Sequence, residues 1–136
     1  MTTRRPSPPA ALLRAARAVR RRAHAPYSRF RVGAAVLDEA GRIHVGCNVE
    51  NASYGLTVCA ERNAVAAAVA AGARAVRAVA VVSDATPPAT PCGACRQVLA
   101  ELGRADTAVY LAGPRGATVA AHDLGALLPE AFTFSR

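Results

Sequence analysis

The chain has no tryptophan, no lysine and a single methionine, and aromatic residues make up only 4% of its 136 positions. So few rings leave little platform for stacking the bases of single-stranded nucleic acid. No apolar run reaches the roughly 18 residues of a membrane span, because arginine interrupts the alanine-rich stretches. The N-terminus lacks the continuous apolar segment that a secretory signal carries. There is no glycine-rich phosphate loop, no internal repeat and no interdomain linker. These absences predict a cytoplasmic protein with neither a membrane nor a nucleic-acid partner.

Acids are missing from one place in particular. Residues 1–31 hold nine arginines and no acid, whereas residues 32–136 hold eight arginines and nine acids. The formal charge of +8 therefore belongs to the N-terminal segment, and the body is close to neutral. A nucleic-acid reading of that charge would need a basic groove in the body. Arginine without lysine, beside alanine at about a quarter of the chain, fits a GC-rich coding bias. An arginine-rich, acid-free start also resembles an organelle transit peptide, but the segment reads better as the first helix of a fold.

What is present is a 52% hydrophobic chain of one domain's length, long enough to bury a core. Residues 1–9, with three prolines, predict a frayed tail, and residues 10–136 a single domain. Leu12, Ala16, Val19 and Ala23 recur at helical steps over Ala10–His24, ahead of Pro26. Strands are predicted at Arg31–Leu37 and Arg42–Asn48 around a tight turn, Asp38–Gly41. A loop over Val49–Thr57 leads to a helix, Val58–Ala71, closed by Gly72 in the C′ position. The run Val76–Val82, apolar but for Arg77, suits a buried strand. After a proline-rich loop, Asp84–Pro91, come a helix at Cys92–Leu102 closed by Gly103, and strands at Thr107–Ala112 and Ala117–Ala121. A short helix spans Asp123–Leu128. This order predicts an α/β fold, a mixed five-stranded sheet with helices on its faces.

Four cysteines stand at positions 47, 59, 92 and 95. With nothing to indicate export, metal ligation or redox chemistry fits them better than disulfides. Cys92 and Cys95 form a Cys-x-x-Cys pair at a predicted helix start, where backbone N–H groups and the helix dipole favour thiolates. Cys59 starts another helix and can supply a third. Three protein ligands leave the fourth position of a zinc ion to water, the mark of a catalytic site. Glu61, two residues past Cys59, stands near such a metal without being needed as a ligand, and a carboxylate there can move protons. A lone Cys-x-x-Cys equally suits a redox pair or structural zinc, and a four-cysteine site using Cys47 is arithmetically open. However, Cys47 and Cys59 are twelve residues apart and make no second knuckle-like pair. Glu61 together with Pro91 completes the signature of zinc deaminases, (His/Cys)-x-Glu followed by Pro-Cys-x-x-Cys.

Other residues are less specific on their own. Asn48 and Glu50 fall on one face of an extended strand, where an amide beside a carboxylate can grip a hydroxyl or merely cap a strand end. Phe30 and Phe132 read, by residue type, as core. Three thiolates would leave a zinc centre with net negative charge and a less acidic water. Arg62 is positioned to hydrogen-bond a ligand sulfur and withdraw charge, as the helix N-termini do. His24, His44 and His122 show no ligand spacing.

These motifs give a resemblance to a known family. Ala25-Pro26-Tyr27-Ser28-Arg29-Phe30-Arg31-Val32-Gly33-Ala34-Ala35, Gly46-Cys47-Asn48-Val49-Glu50-Asn51-Ala52-Ser53-Tyr54, Cys59-Ala60-Glu61-Arg62, Pro91-Cys92-Gly93-Ala94-Cys95-Arg96-Gln97 and Leu127-Leu128-Pro129-Glu130-Ala131-Phe132 occur in order. The chain resembles the cytidine deaminases, in their small homotetrameric form with three cysteine ligands, from about Leu12 to Phe132. The resemblance implies a three-layer α/β/α fold and one Zn²⁺ per chain on Cys59, Cys92 and Cys95, with Glu61 as proton shuttle. It implies that Asn48 and Glu50 hold the ribose, chiefly its 3′-hydroxyl, that Phe30 flanks the pyrimidine, that Ala60 binds substrate, and that Tyr54 and Phe132 face a site shared between subunits. Cys47 would be a bystander. The stretch Gly55-Leu56-Thr57-Val58 and the arginine-rich tail depart from the family pattern without touching the chemistry.

The implied reaction is hydrolytic deamination of cytidine and 2′-deoxycytidine, a step of pyrimidine salvage. Deamination of a cytosine-containing antibiotic such as blasticidin S is the alternative, and the Asn-Val-Glu-Asn-Ala-Ser-Tyr stretch favours ribose instead. A structural zinc module for protein contacts would have no use for Glu61. Editing of polynucleotides would need the basic groove and the stacking rings that are missing.

Overall fold

The computed structural model describes residues 10–134. The chain runs α1 (Ala10–Arg20), β1 (Gly33–Asp38), β2 (Ile43–Cys47), a 3₁₀ turn (Tyr54–Leu56), α2 (Ala60–Ala70), β3 (Val76–Val82), α3 (Gly93–Leu102), β4 (Ala108–Ala112), β5 (Val119–Asp123) and α4 (Leu124–Leu127). The strands form one sheet in the order β2-β1-β3-β4-β5. Only β3 and β4 are parallel; every other neighbouring pair is antiparallel. The mixed five-stranded sheet expected from the sequence is therefore present.

Strand alternation divides the core into two layers. Ala34, Val36, Val79, Val81, Val109 and Leu111 pack with Ala60, Ala64 and Ala68 of α2 and Leu99 of α3. Ala35, Ala78, Ala80, Val82, Tyr110 and Ala112 turn the other way and meet Leu12, Leu13 and Ala16 of α1. The result is the three-layer α/β/α arrangement. Burying Leu12 and Leu13 contributes about 1.5–3 kcal/mol each to holding α1. Small residues let the layers approach closely. A Cβ on Gly33 would lie 2.1 Å from the Ala16 carbonyl oxygen, and one on Gly46 would lie 2.3 Å from the Ala64 amide nitrogen.

Several element ends differ from the sequence reading, and at the first helix, the first strand and the second helix a tertiary contact is the reason. The first helix stops at Arg20, short of His24, because His24 pairs with the chain after β2: its N–H donates to the Asn48 carbonyl and its carbonyl accepts from Glu50 N–H. β1 begins at Gly33, since the Val32 N–H is taken by the Asn48 side chain. β2 ends at Cys47, so Asn48 and Glu50 lie just beyond it. α2 begins at Ala60, because Val58 bridges to Val49. The last strand lies two residues later than predicted. Gly72 has φ 96° after the second helix, as expected for its C′ position. The predicted tail over residues 1–9 lies outside the described residues. Among the described residues no helix is long and apolar enough to cross a membrane.

Candidate active site

Two helix starts meet at the carboxyl end of β3. Cys59 is the N-cap residue of α2 and Cys92 that of α3, both in extended conformation. Cys95 lies in the first turn of α3 and is buried. The Cys92 and Cys95 sulfurs are 3.3 Å apart, those of Cys59 and Cys92 are 3.9 Å apart, and all three lie within 4.8 Å of one another. Thiolates bound ~2.3 Å from a tetrahedral zinc would sit about 3.8 Å apart, so this cluster fits that ion. Its soft, all-sulfur donor set also suits zinc over harder cations.

The thiols do not ionise alike. A hydrogen bond from Cys95, and then one from Cys92 and the charge of Arg62, draw Cys59 down to about 6 against the effect of burial. The same hydrogen bond to Cys59, then burial and the Glu61 carboxylate, push Cys95 up. Arg62 thus acts on Cys59 through its charge. The expected hydrogen bond from Arg62 to a ligand sulfur does not form among the described residues.

Glu61 is 5% exposed in the first turn of α2. Burial pushes its carboxyl above the ordinary range, and the negative charge on Cys59 adds to this against its own backbone N–H. Proton carriers gain from such tuning toward neutrality. Glu61, Cys59, Cys92, Ala60, Asn48 and Phe30 all line one cavity of about 220 Å³. Its remaining wall comes from Val32, Thr57, Val81, Ser83, Ala89 and Thr90.

The segment that carries Phe30 is held from below by the two polar residues singled out in the sequence. Asn48 accepts from Val32 N–H and donates to the Phe30 carbonyl, each at 2.8 Å. Glu50 accepts from the N–H groups of Tyr27 and Ser28 and from the Ser28 hydroxyl. The Ser28 hydroxyl bond comes first among the causes that hold Glu50 below the usual carboxylate range. Both side chains thus bond the same 27–32 segment, and Asn48 lines the cavity whereas Glu50 does not. Phe30 and Phe132 are exposed, contrary to the core reading that residue type suggests. Tyr54 and Phe132, 76% and 66% exposed, lie outside the cavity. Cys47 stands apart from the thiol cluster, and its carbonyl accepts from Asn63.

Sequence reasoning missed Ser83, Ala89 and Thr90, which sit in loops without a recognisable pattern. It also missed the buried Asp38, which accepts from Arg42 Nε and pairs with His44 Nε2, each at 2.8 Å, across the β1–β2 turn. The Asp-x-x-x-Arg-x-His spacing around a turn was the available signal.

Thiols and a buried carboxylate at two adjacent helix starts define a zinc centre equipped to move protons. Comparison with known proteins gives the same class. Residues 7–112 match the model of the cytidine and deoxycytidylate deaminase zinc-binding region. A cytidine deaminase of Halalkalibacterium halodurans is 52% identical over 122 residues, covering 90% of this chain and 92% of its own. The crystal structure of cytidine deaminase from Burkholderia pseudomallei superposes with TM-score 0.84 at 52% identity, over 90% of this chain and 97% of that one. That of the Mycobacterium tuberculosis enzyme gives 0.79 at 43% identity, over 91% and 96%. The chain belongs to the cytidine and deoxycytidylate deaminase family, and zinc is its metal.

Proposed function

We propose that the chain catalyses hydrolytic deamination of cytidine and 2′-deoxycytidine to uridine and 2′-deoxyuridine with release of ammonia, a step of pyrimidine salvage. The observation that carries this reading is the shared wall: Glu61 and the thiols Cys59 and Cys92 face one cavity of about 220 Å³ with Asn48 and Phe30. Cys59, Cys92 and Cys95 hold one zinc ion per chain. Bound there, zinc supplies a Lewis acid that makes water nucleophilic near neutral pH. Glu61 would pass one proton of that water to pyrimidine N3 as its oxygen bonds to C4, then pass the second proton of the same oxygen to the amino group, which leaves as ammonia when its bond to C4 breaks. Burial of Glu61 raises the carboxyl's hold on a proton. Arg62 and the two helix starts offset the negative charge of the thiolates.

Asn48 and Glu50 hold the ribose, chiefly its 3′-hydroxyl, while fixing Tyr27–Val32 from beneath. Phe30 flanks the pyrimidine, and Ala60 meets the substrate from the same cavity wall. The working form is a homotetramer in which Tyr54 and Phe132 complete pockets across subunit contacts. Five of the six aromatic side chains are exposed, only Tyr110 being buried, and a chain so poor in rings gains by covering them with copies of itself.

An ultraviolet assay of zinc-loaded protein with cytidine tests the proposal, with blasticidin S and a cytosine-containing oligonucleotide in parallel. Loss of cytidine absorbance with ammonia release is expected. Turnover of the antibiotic or the oligonucleotide in place of cytidine would overturn it.

A further inference from the structure

One arginine next to the metal loop serves two distant parts of the chain. Arg96 Nε donates to the Pro91 carbonyl at 2.7 Å, and Nη2 donates to the Thr90 hydroxyl at 3.0 Å. Nη1 donates to the carbonyl of Leu127, the last residue of α4, at 2.7 Å. Its neighbour Gln97 donates from Nε2 to the Phe132 carbonyl at 3.1 Å. Arg96 has no carboxylate partner among the described residues, so its charge is spent on neutral acceptors held in a fixed fork. Thr90 lines the cavity and Pro91 immediately precedes Cys92. Thr90 and Pro91 at the end of the cavity wall and Leu127 at the head of the C-terminal stretch therefore touch the same guanidinium, while Gln97 holds that stretch at Phe132. Neither segment is in a strand, and the loop has no ladder of its own to locate it.

We infer that Arg96 is a positioning residue that ties the Ala89–Pro91 wall of the cavity to the docked C-terminal segment, so that substrate affinity depends on how Leu127–Phe132 is seated. Gln97 supports the same tie at its far end. Where this concerns cytidine it rests on the proposed function; the mechanical tie itself does not. A lysine keeps the cation but cannot reach three acceptors at once.

The test uses full-length, zinc-loaded protein with Arg96→Lys and Gln97→Ala. It reads KM and kcat for cytidine, zinc content, and amide hydrogen exchange over residues 89–92 and 127–132. Arg96→Lys is expected to raise KM about tenfold and to change kcat less than about threefold. Zinc content should hold, and exchange should quicken in both segments together. Gln97→Ala is expected to quicken exchange near Phe132 and to raise KM less. Loss of zinc in step with activity, a fall in kcat at unchanged KM, or faster exchange in one segment alone would overturn the inference. A wild-type chain inactive on cytidine would defeat the proposed function instead, and the exchange data would still decide the tie.

Discussion

Asn48 and Phe30 are joined by a 2.8 Å hydrogen bond from the amide Nδ2 to the phenylalanine carbonyl, while the same amide's oxygen receives the Val32 N–H. A single 8%-exposed side chain therefore fixes two residues of the cavity wall, Phe30 and Val32. Asn48→Ala would strip partners from two backbone groups. We expect it to lower stability by about 1–3 kcal/mol and to raise KM for the nucleoside by a comparable free energy. Urea denaturation and steady-state kinetics on the same preparation check both halves.

Glu61→Gln keeps the shape of the site and removes the carboxyl proposed to move protons. Turnover should fall by about 10²-fold or more with zinc still bound, as measured by steady-state rate and metal analysis. A variant that keeps most of its activity, or that loses its metal, would show the role to be misassigned.

The four cysteines should separate cleanly. Serine at 59, 92 or 95 is expected to abolish stoichiometric zinc and activity, whereas Cys47→Ser should keep one zinc per chain and full turnover. Atomic absorption across the four variants decides this. Zinc retained in Cys92→Ser and lost in Cys47→Ser would reverse the assignment.

Asp38 gives a pH signature far from the chemistry. Burial pushes its carboxyl up, but the hydrogen bond from His44, the N–H groups of Arg42 and Ala40, and the Arg42 charge together hold it well below its ordinary value of 3.8. A carboxyl held down in the folded chain adds stability above the unfolded pKa and loses it as the pH falls through the folded one. Asp38→Asn should therefore destabilise the protein at neutral pH, and the gap should close as the pH drops below 3.8. Thermal melts of both proteins between neutral and acid pH follow the difference; a gap that persists unchanged into acid would refute the assignment.

Phe132→Ala probes the proposed subunit contact. If a partner covers this ring, its removal should weaken assembly by about 2 kcal/mol per contact and reduce activity in step. Size-exclusion chromatography with light scattering, coupled to the activity assay, shows whether mass and rate fall together. A fully active monomer would sink the shared pocket and leave the zinc mechanism standing.

The thiol cluster was readable because its logic is local: Cys92 and Cys95 stand three apart at a helix start, and Glu61 follows Cys59 by two. Val76–Val82 is legible to the residue because the strand is buried and apolar at every position except the exposed Arg77. The end of the first helix was not legible, since the pairing of His24 with Asn48 and Glu50 joins residues more than twenty positions apart. Ser83 and Thr90 were invisible for a related reason: a short polar side chain in a loop acquires its place only when β3 and α3 are set side by side. The exposure of Phe30 and Phe132 likewise depends on tertiary placement that residue type does not encode.

The contact at Gly46 has a bearing on redesign. There the backbone of β2 rests directly on the backbone of α2, one turn beyond the residue that is to carry the proton. Side chains can change rotamer to absorb an added methyl group, but two main chains in contact have no such slack. Glycine to alanine within a strand is ordinarily a safe way to stiffen a protein. At this position the added carbon would lever the helix away from the sheet, and Cys59 and Glu61 would travel with it. The hairpin is thus a gauge block for the metal site, and its thickness at that point is not open to improvement.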